Sequence, residues 1–329
     1  MPLESAVQYR TQLDRDILQT LDDVRSEWAR MSPWIEGSWN AVGPRVVQAV
    51  TAGQRRSARR GATLVAAALA EQGIDPTSEL GQFDASTLSG IASDGRPLES
   101  LAYQAAVISG NALNADEPWP VASRSGMSFL ESMVSTQVAD AFRVASGAQT
   151  VVTPKATLMV RQVNPGACAR CILLAGHQTM TTEAFQRHPK CRCINVPSDR
   201  ADLADVGQDP LDYFNSLSPA QQDKTFTRDG AQAIRDGADM NQVVNARRGM
   251  SKTVSGRMAR DKRGRYITNE GTTRRGWAYN QMTRNPKWVV DPKAHRLALK
   301  TPRLMPESIY EIATDREDAV RLLKAYGYF

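Results

Sequence analysis

Apolar residues recur at helical spacing through the first half of the chain. Leu13, Ile17, Leu21, Val24 and Trp28 stand four, four, three and four residues apart, one stripe of an amphipathic helix. Ser32-Pro33 interrupts it, and Trp34 and Trp39 follow at a helix junction. A second helix is predicted over about residues 44–72, with Val46, Val47, Val50, Leu64, Val65 and Leu69 on its apolar side and Gly73 and Pro76 ending it. Its arginines 55, 56, 59 and 60 read as one solvated face. Residues 98–113 form a third helix. Asp116-Glu117-Pro118-Trp119-Pro120 reads as a break before a fourth over about 123–148, whose stripe of Met127, Leu130, Val134, Val138, Ala141 and Ala145 is of the ordinary core kind.

The period changes after Thr150. Residues 156–163 are apolar and β-branched enough for a strand, Asn164-Pro165-Gly166 signals a turn, and residues 191–197 alternate and reach a proline, a second strand. Residues 209–237 suggest two short helices, with Ser218 and Gln221 as an N-cap pair, and residues 238–247 a turn and a further short helix. Beyond Gly249, glycines 256, 264, 271 and 276 weaken regular structure, and residues 260–266 suit a hairpin tip. Ile309, Ile312, Val320, Leu322 and Leu323 close the chain with a helix. The predicted architecture is α+β. A helical docking region covers 1–150, a small metal-stapled domain 151–248, and a basic, extended, irregular arm ending in a short helix 249–329.

Composition permits two or three packed units: 329 residues, 41% of them hydrophobic. No run of 18 apolar residues occurs, which argues against a membrane span and a membrane partner. The net charge of +6 is unevenly placed. Residues 1–150 carry 12 arginines, no lysine and 17 acids, whereas residues 247–303 carry 16 Lys/Arg against Asp261, Glu270 and Asp291. Such a block attracts phosphate backbones or an acidic protein surface, or is simply solvated. The residues singled out for that contact are Arg247, Arg248, Lys252, Arg257, Arg260, Lys262, Arg263, Arg265, Arg274 and Arg275.

All four cysteines fall in one window, as Cys168-x2-Cys171 and Cys191-x-Cys193, with His188 three residues before Cys191. Two short thiol clusters suit a tetrahedral zinc, each closing one side of it. Five donors are on hand for four positions: the four cysteines, or three of them with His188. A full ligand set reads as structural, since catalytic zinc keeps a position open for water. Four cysteines also permit disulfides. That reading ranks lower: residues 1–16 lack the apolar run of a signal peptide, and a chain of this size does not need disulfide staples. No catalytic residues are assigned. Neither H-E-x-x-H nor G-x-S-x-G occurs. An H-N-H nuclease would need a second histidine and an asparagine that the His188–Cys191 spacing does not accommodate.

The string Asn164-Pro165-Gly166-Ala167-Cys168-Ala169-Arg170-Cys171, then Gly176 and His188-Pro189-Lys190-Cys191-Arg192-Cys193, resembles the Mu F-like minor head proteins of tailed phages, most closely their actinobacteriophage branch. The resemblance extends over about residues 159–249, through Phe214, Leu217, Gln221 and the run 243–249, and is weak elsewhere. It implies a minor capsid component of the virion at the portal vertex or capsid interior, acting in head assembly or DNA packaging and delivery. Its implied partners are the portal protein, the major capsid protein and packaged double-stranded DNA bound without sequence preference. The host cytoplasm is the implied site of assembly. Members of this branch are often labelled capsid maturation proteases, which makes cleavage of head proteins the alternative function.

Overall fold

The first apolar stripe builds α1, Glu4–Trp28, with Leu13, Ile17 and Val24 buried completely. The computed structural model describes residues 3–78, 81–181, 183, 185–199, 206–248, 260–272 and 297–329. Three longer elements come next: α2 (Ile35–Glu71), α3 (Leu98–Asn114) and α4 (Trp119–Val151). Helix α2 begins nine residues before the predicted start at 44, with Pro44 inside it. That proline lacks the N–H that would bond back one turn, and the flanking turns carry it. Pro120, read as part of a break, occupies the first turn of α4, where a missing N–H costs nothing.

Helices α2 and α4 cross closely because Gly61 faces the α4 main chain. A Cβ at Gly61 would stand 2.1 Å from the Phe142 carbonyl oxygen, and Ser57 Oγ donates to the Val138 carbonyl at 2.8 Å. The arginine face of α2 is only half solvated. Arg60 Nε reaches the buried Asp16 carboxylate of α1 at 2.7 Å and Arg56 approaches it, while Arg55 and Arg59 are exposed. Helices α1–α4 share one core, which also takes in Val160, Ile194 and Val196 from a small sheet.

That sheet has order β2-β1-β3, all antiparallel: β1 Leu158–Gln162, β2 Gln178–Met180, β3 Ile194–Ser198. Val160 pairs with Val196 on the face turned to the helices. Arg161 pairs with Asn195 and, by strand alternation, lies on the opposite face. Both are buried. Between β1 and β2 runs the one-turn helix α5, Ala169–Ile172.

The chain divides into two compact units, Met1–Ala167 with Leu174–Asp209, and Cys168–Leu173 with Pro210–Phe329. The predicted boundaries at 150 and 248 differ from this. The helical region and the sheet share a core, whereas residues 210–248 group with the C-terminal strands and helices. In the second unit α6 (Pro210–Ser216), α7 (Pro219–Phe226), α8 (Arg228–Arg235) and α9 (Met240–Arg248) are short. Ser218 and Gln221 form the expected reciprocal cap of α7. Part of the stretch expected to be irregular is regular. Strands β4 (Ile267–Thr272) and β5 (Leu297–Leu304) pair antiparallel, then α10 (Pro306–Ile312) and α11 (Arg316–Ala325) end the chain. The hairpin tip is present, with Arg260 bridging Tyr266. Arg303 of β5 is wholly buried, its guanidinium 4.5 Å from the Tyr328 ring centroid and donating to the Tyr326 and Gly327 carbonyls at the end of α11. Among the described residues no helix is long and apolar enough to cross a membrane.

Candidate metal centre

Each half of the cysteine pattern is positioned by a short local structure. Cys168 precedes α5 and its carbonyl accepts the Ile172 N–H at 3.1 Å, so Cys168 and Cys171 sit three apart on a single helical turn and project to the same side. The approach is shaped by Gly166 at φ 75° and the return by Gly176 at φ 69°. A Cβ at Gly176 would meet the Gln208 carbonyl oxygen at 2.5 Å, so that position needs glycine for both its dihedral and its space.

The second half is a turn followed by extended chain. The Cys191 N–H donates to the His188 carbonyl at 3.1 Å, with Pro189 and Lys190 between and Lys190 at φ 63°. Proline followed by a positive φ is the form of a type II turn. It sets His188 and Cys191 at the two ends of one reverse turn. His188 Nδ1 lies 2.7 Å from the Pro189 carbonyl oxygen, which can only accept. The proton therefore belongs on Nδ1 and the lone pair on Nε2, the tautomer that ligates through Nε2. Cys191 and Cys193, just before β3, bring their thiols within 4.8 Å of each other. Arg192 between them turns outward to Asp14 at 3.2 Å.

These local structures bring all five predicted donors together. The ligand atoms of Cys168, Cys171 and His188 lie within 4.8 Å of one another, and so do those of Cys171, Cys191 and Cys193. Zn–S bonds of ~2.3 Å place the corners of a tetrahedron ~3.7 Å apart. The two groups share Cys171. Cys171, Cys191 and Cys193 are buried, Cys168 is exposed and His188 is partly buried. No disulfide joins the four cysteines. Three buried thiols beside a fourth and an imidazole are a soft donor set, so the residues present fit a metal ion.

The groups around the cluster carry no signature in the local sequence. Arg143 of α4, 8% exposed, donates from Nη1 to the carbonyls of both Cys191 and Cys193 at 3.0 Å each. Its Nη2 meets Asp140 Oδ1 at 2.6 Å. Arg161 of β1 places Nη2 at 3.8 Å from Cys191 Sγ and Nη1 at 2.6 Å from the Gln186 carbonyl. The Phe185 ring lies 4.2 Å from the Arg161 guanidinium and 5.1 Å from that of Arg143. The one signal that could have found them is a charged pair three residues apart, Asp140 and Arg143, set inside an otherwise apolar stripe.

The basic residues singled out for surface contact fare unevenly. Arg247 pairs with Glu307 and Arg265 with Asp261. Arg260 stacks over Tyr266, 4.2 Å from the ring centroid. Lys262 and Arg263 are exposed at the hairpin tip. Arg248 ends α9. Lys252, Arg257, Arg274 and Arg275 lie outside the described residues.

In comparisons with protein families, curated proteins and solved structures, no family model, no curated protein and no solved structure matched the chain.

Proposed function

We propose that the chain is a structural minor capsid protein of a tailed phage, its cysteine cluster holding one structural zinc ion. The observation that carries the reading is the convergence of Cys168, Cys171, His188, Cys191 and Cys193, the five donors of the pattern that resembles the Mu F-like minor head proteins. A zinc ion bound there would tie the turn after β1 to the turn before β3 and contribute folding free energy. The chain's own residues supply the rest: the tautomer of His188, the turn through Pro189 and Lys190, and the arginines that meet Cys191. In this reading helices α1–α4 form a rigid body for docking on portal or major capsid protein. The exposed Lys262 and Arg263 at the hairpin tip face packaged DNA or an acidic protein surface, and the protein works in the virion after assembly in the host cytoplasm.

The test is co-expression with the portal and major capsid proteins of the same phage, followed by sedimentation of the assembled heads and elemental analysis of the purified chain. Co-sedimentation, with about one zinc per chain and major capsid protein of unchanged length, supports the structural reading. A chain that stays at the top of the gradient overturns it. Shortened capsid protein, dependent on this chain, replaces it with the protease reading.

A further inference from the structure

We propose that the buried Asp140–Arg143 pair of α4 is the positioning device of the metal centre, holding the Cys191–Cys193 segment in ligating form and linking metal occupancy to the order of α4. The device rests on the metal centre proposed for the cysteine cluster.

Arg143 Nη1 spans two carbonyls two residues apart, those of Cys191 and Cys193, at 3.0 Å each. Two contacts to one nitrogen hold these carbonyls within about 6 Å of each other and so fix the backbone between Cys191 and Cys193. The guanidinium thus fixes the main chain that carries two of the five donors, and does so through their carbonyls rather than their sulfurs.

A guanidinium 8% exposed needs a countercharge. Asp140, 5% exposed, supplies it at 2.6 Å and is itself held: Ser93 Oγ donates to Asp140 Oδ2 at 2.6 Å, and Arg187 pairs with the same oxygen. Gln137 Oε1, one turn earlier on α4, accepts from the Ser93 N–H at 2.8 Å. The chain of contacts therefore runs from the loop at Ser93, through one turn of α4, to the cysteine carbonyls. Zinc with three or four thiolates carries net negative charge. Arg143 and Arg161, both against the Phe185 ring, place two positive charges near it, and Arg161 Nη2 lies 3.8 Å from Cys191 Sγ.

The experiment uses the full chain, reduced, with cobalt(II) as the spectroscopic probe and zinc measured by competition with a chromophoric chelator. Arg143→Lys keeps the charge opposite Asp140 but cannot span two carbonyls and a carboxylate with one ammonium. It is expected to keep its helical circular dichroism, to bind zinc about 10–100-fold more weakly, and to shift the cobalt d–d bands. Ser93→Ala leaves Arg143 and every donor in place, loosens Asp140, and is expected to weaken zinc by less than Arg143→Lys does. Chelation of the wild type should also speed amide exchange around residues 140–143 of α4. Folded variants with wild-type affinity and cobalt spectrum overturn the proposal, as does exchange in α4 that ignores metal. If Arg143→Lys does not fold, Ser93→Ala decides, and unchanged affinity there overturns it. A wild type without a thiolate-to-cobalt band removes the metal reading and this inference together. A wild-type band with unaltered variants removes the positioning role alone.

Discussion

Cys191 and His188 are the two ends of one hydrogen-bonded turn, the Cys191 N–H meeting the His188 carbonyl at 3.1 Å, and the turn places a lysine where glycine is the usual choice. Lys190 sits at φ 63°, and its N–H donates to Thr136 Oγ1 of α4 at 3.0 Å. The left-handed conformation costs a residue with a Cβ about 1–2 kcal/mol. Glycine avoids that cost but loses more freedom on folding, about 0.5–1 kcal/mol. The expected result is that Lys190→Gly changes stability by less than about 1 kcal/mol, whereas Lys190→Val, with a branched Cβ in the same conformation, destabilises by about 1–3 kcal/mol. Urea titration of both variants in metal-replete buffer checks this. Equal stability of the two would mean that the turn does not hold its φ in solution.

Cys171 belongs to both groups of donors and Cys168 to one, and Cys171 is buried where Cys168 is exposed. Cys171→Ser is therefore expected to lower the melting temperature more than Cys168→Ser when metal is present. Structural zinc supplies on the order of 10 kcal/mol in small domains that lack a core. Here helices and sheet have their own core, so the loss is smaller. Most of the difference between the two variants should vanish in excess chelator, where neither holds an ion. Melting curves with and without chelator decide it. Wild-type melting of both variants in metal-replete buffer would show that the cluster does not contribute to folding.

The sequence carried the helices because their apolar period is long and unbroken, and it carried the donors because all four cysteines and His188 fall in 26 positions. What it hid has physical causes. Pro44 reads as a helix start and Pro120 as part of a break, yet Pro44 is carried inside α2 and Pro120 lies in the first turn of α4. Strand β2, only Gln178–Met180, is too short to show an alternation. Strand β5 carries Arg303 into the core, and charge alone marks such a residue as exposed. Arg143 was invisible as a partner of the cysteines because it bonds to carbonyls 48 and 50 residues away, which no local pattern encodes.

Gly61 tests the helical framework independently of the metal. A methyl group there would meet the Phe142 carbonyl oxygen at 2.1 Å, a main-chain atom inside α4 that cannot swing aside. Gly61→Ala raises helix propensity by about 1 kcal/mol, but forcing α2 and α4 apart costs about 1–3 kcal/mol. The crossing is expected to win, with net destabilisation and unchanged metal content. A more stable Gly61→Ala would show that the two helices can separate without loss.

Asp236 gives the second unit an acid limit. Burial opposes ionisation of its carboxyl, but hydrogen bonds from Tyr310, Arg316 and Gln232 outweigh that and hold it below the ordinary carboxylate range. The folded state thus binds the proton less readily than the unfolded chain, whose aspartates titrate near about 3.9. The stabilisation is fully present above that unfolded value and disappears as pH falls through the lower folded value. Urea midpoints followed from about pH 5 to pH 2 should fall less steeply for Asp236→Asn than for the wild type. Parallel curves would remove this carboxyl as the cause.

Part of the basic block is engaged within the fold, and that dictates how to test it. Arg303 is core, Arg247 and Arg265 are paired, and β5 begins at Leu297. Deleting the block through Arg303 would remove a strand and a buried arginine along with the charge, so any loss of DNA retention would be ambiguous. Lys262 and Arg263 are exposed at the tip of the Arg260–Tyr266 hairpin. The Asp261 carboxylate already accepts the main-chain N–H groups of Arg263 and Arg265, so the turn is held without either side chain. Lys262→Glu with Arg263→Glu therefore changes charge and leaves the tip folded. If the tip faces packaged DNA, the double variant binds a random duplex more weakly at low salt. Its slope of log affinity against log salt falls by up to about 2, one for each phosphate no longer neutralised. Unchanged affinity and slope would take the hairpin tip out of any DNA contact and leave an acidic protein surface as the partner to seek.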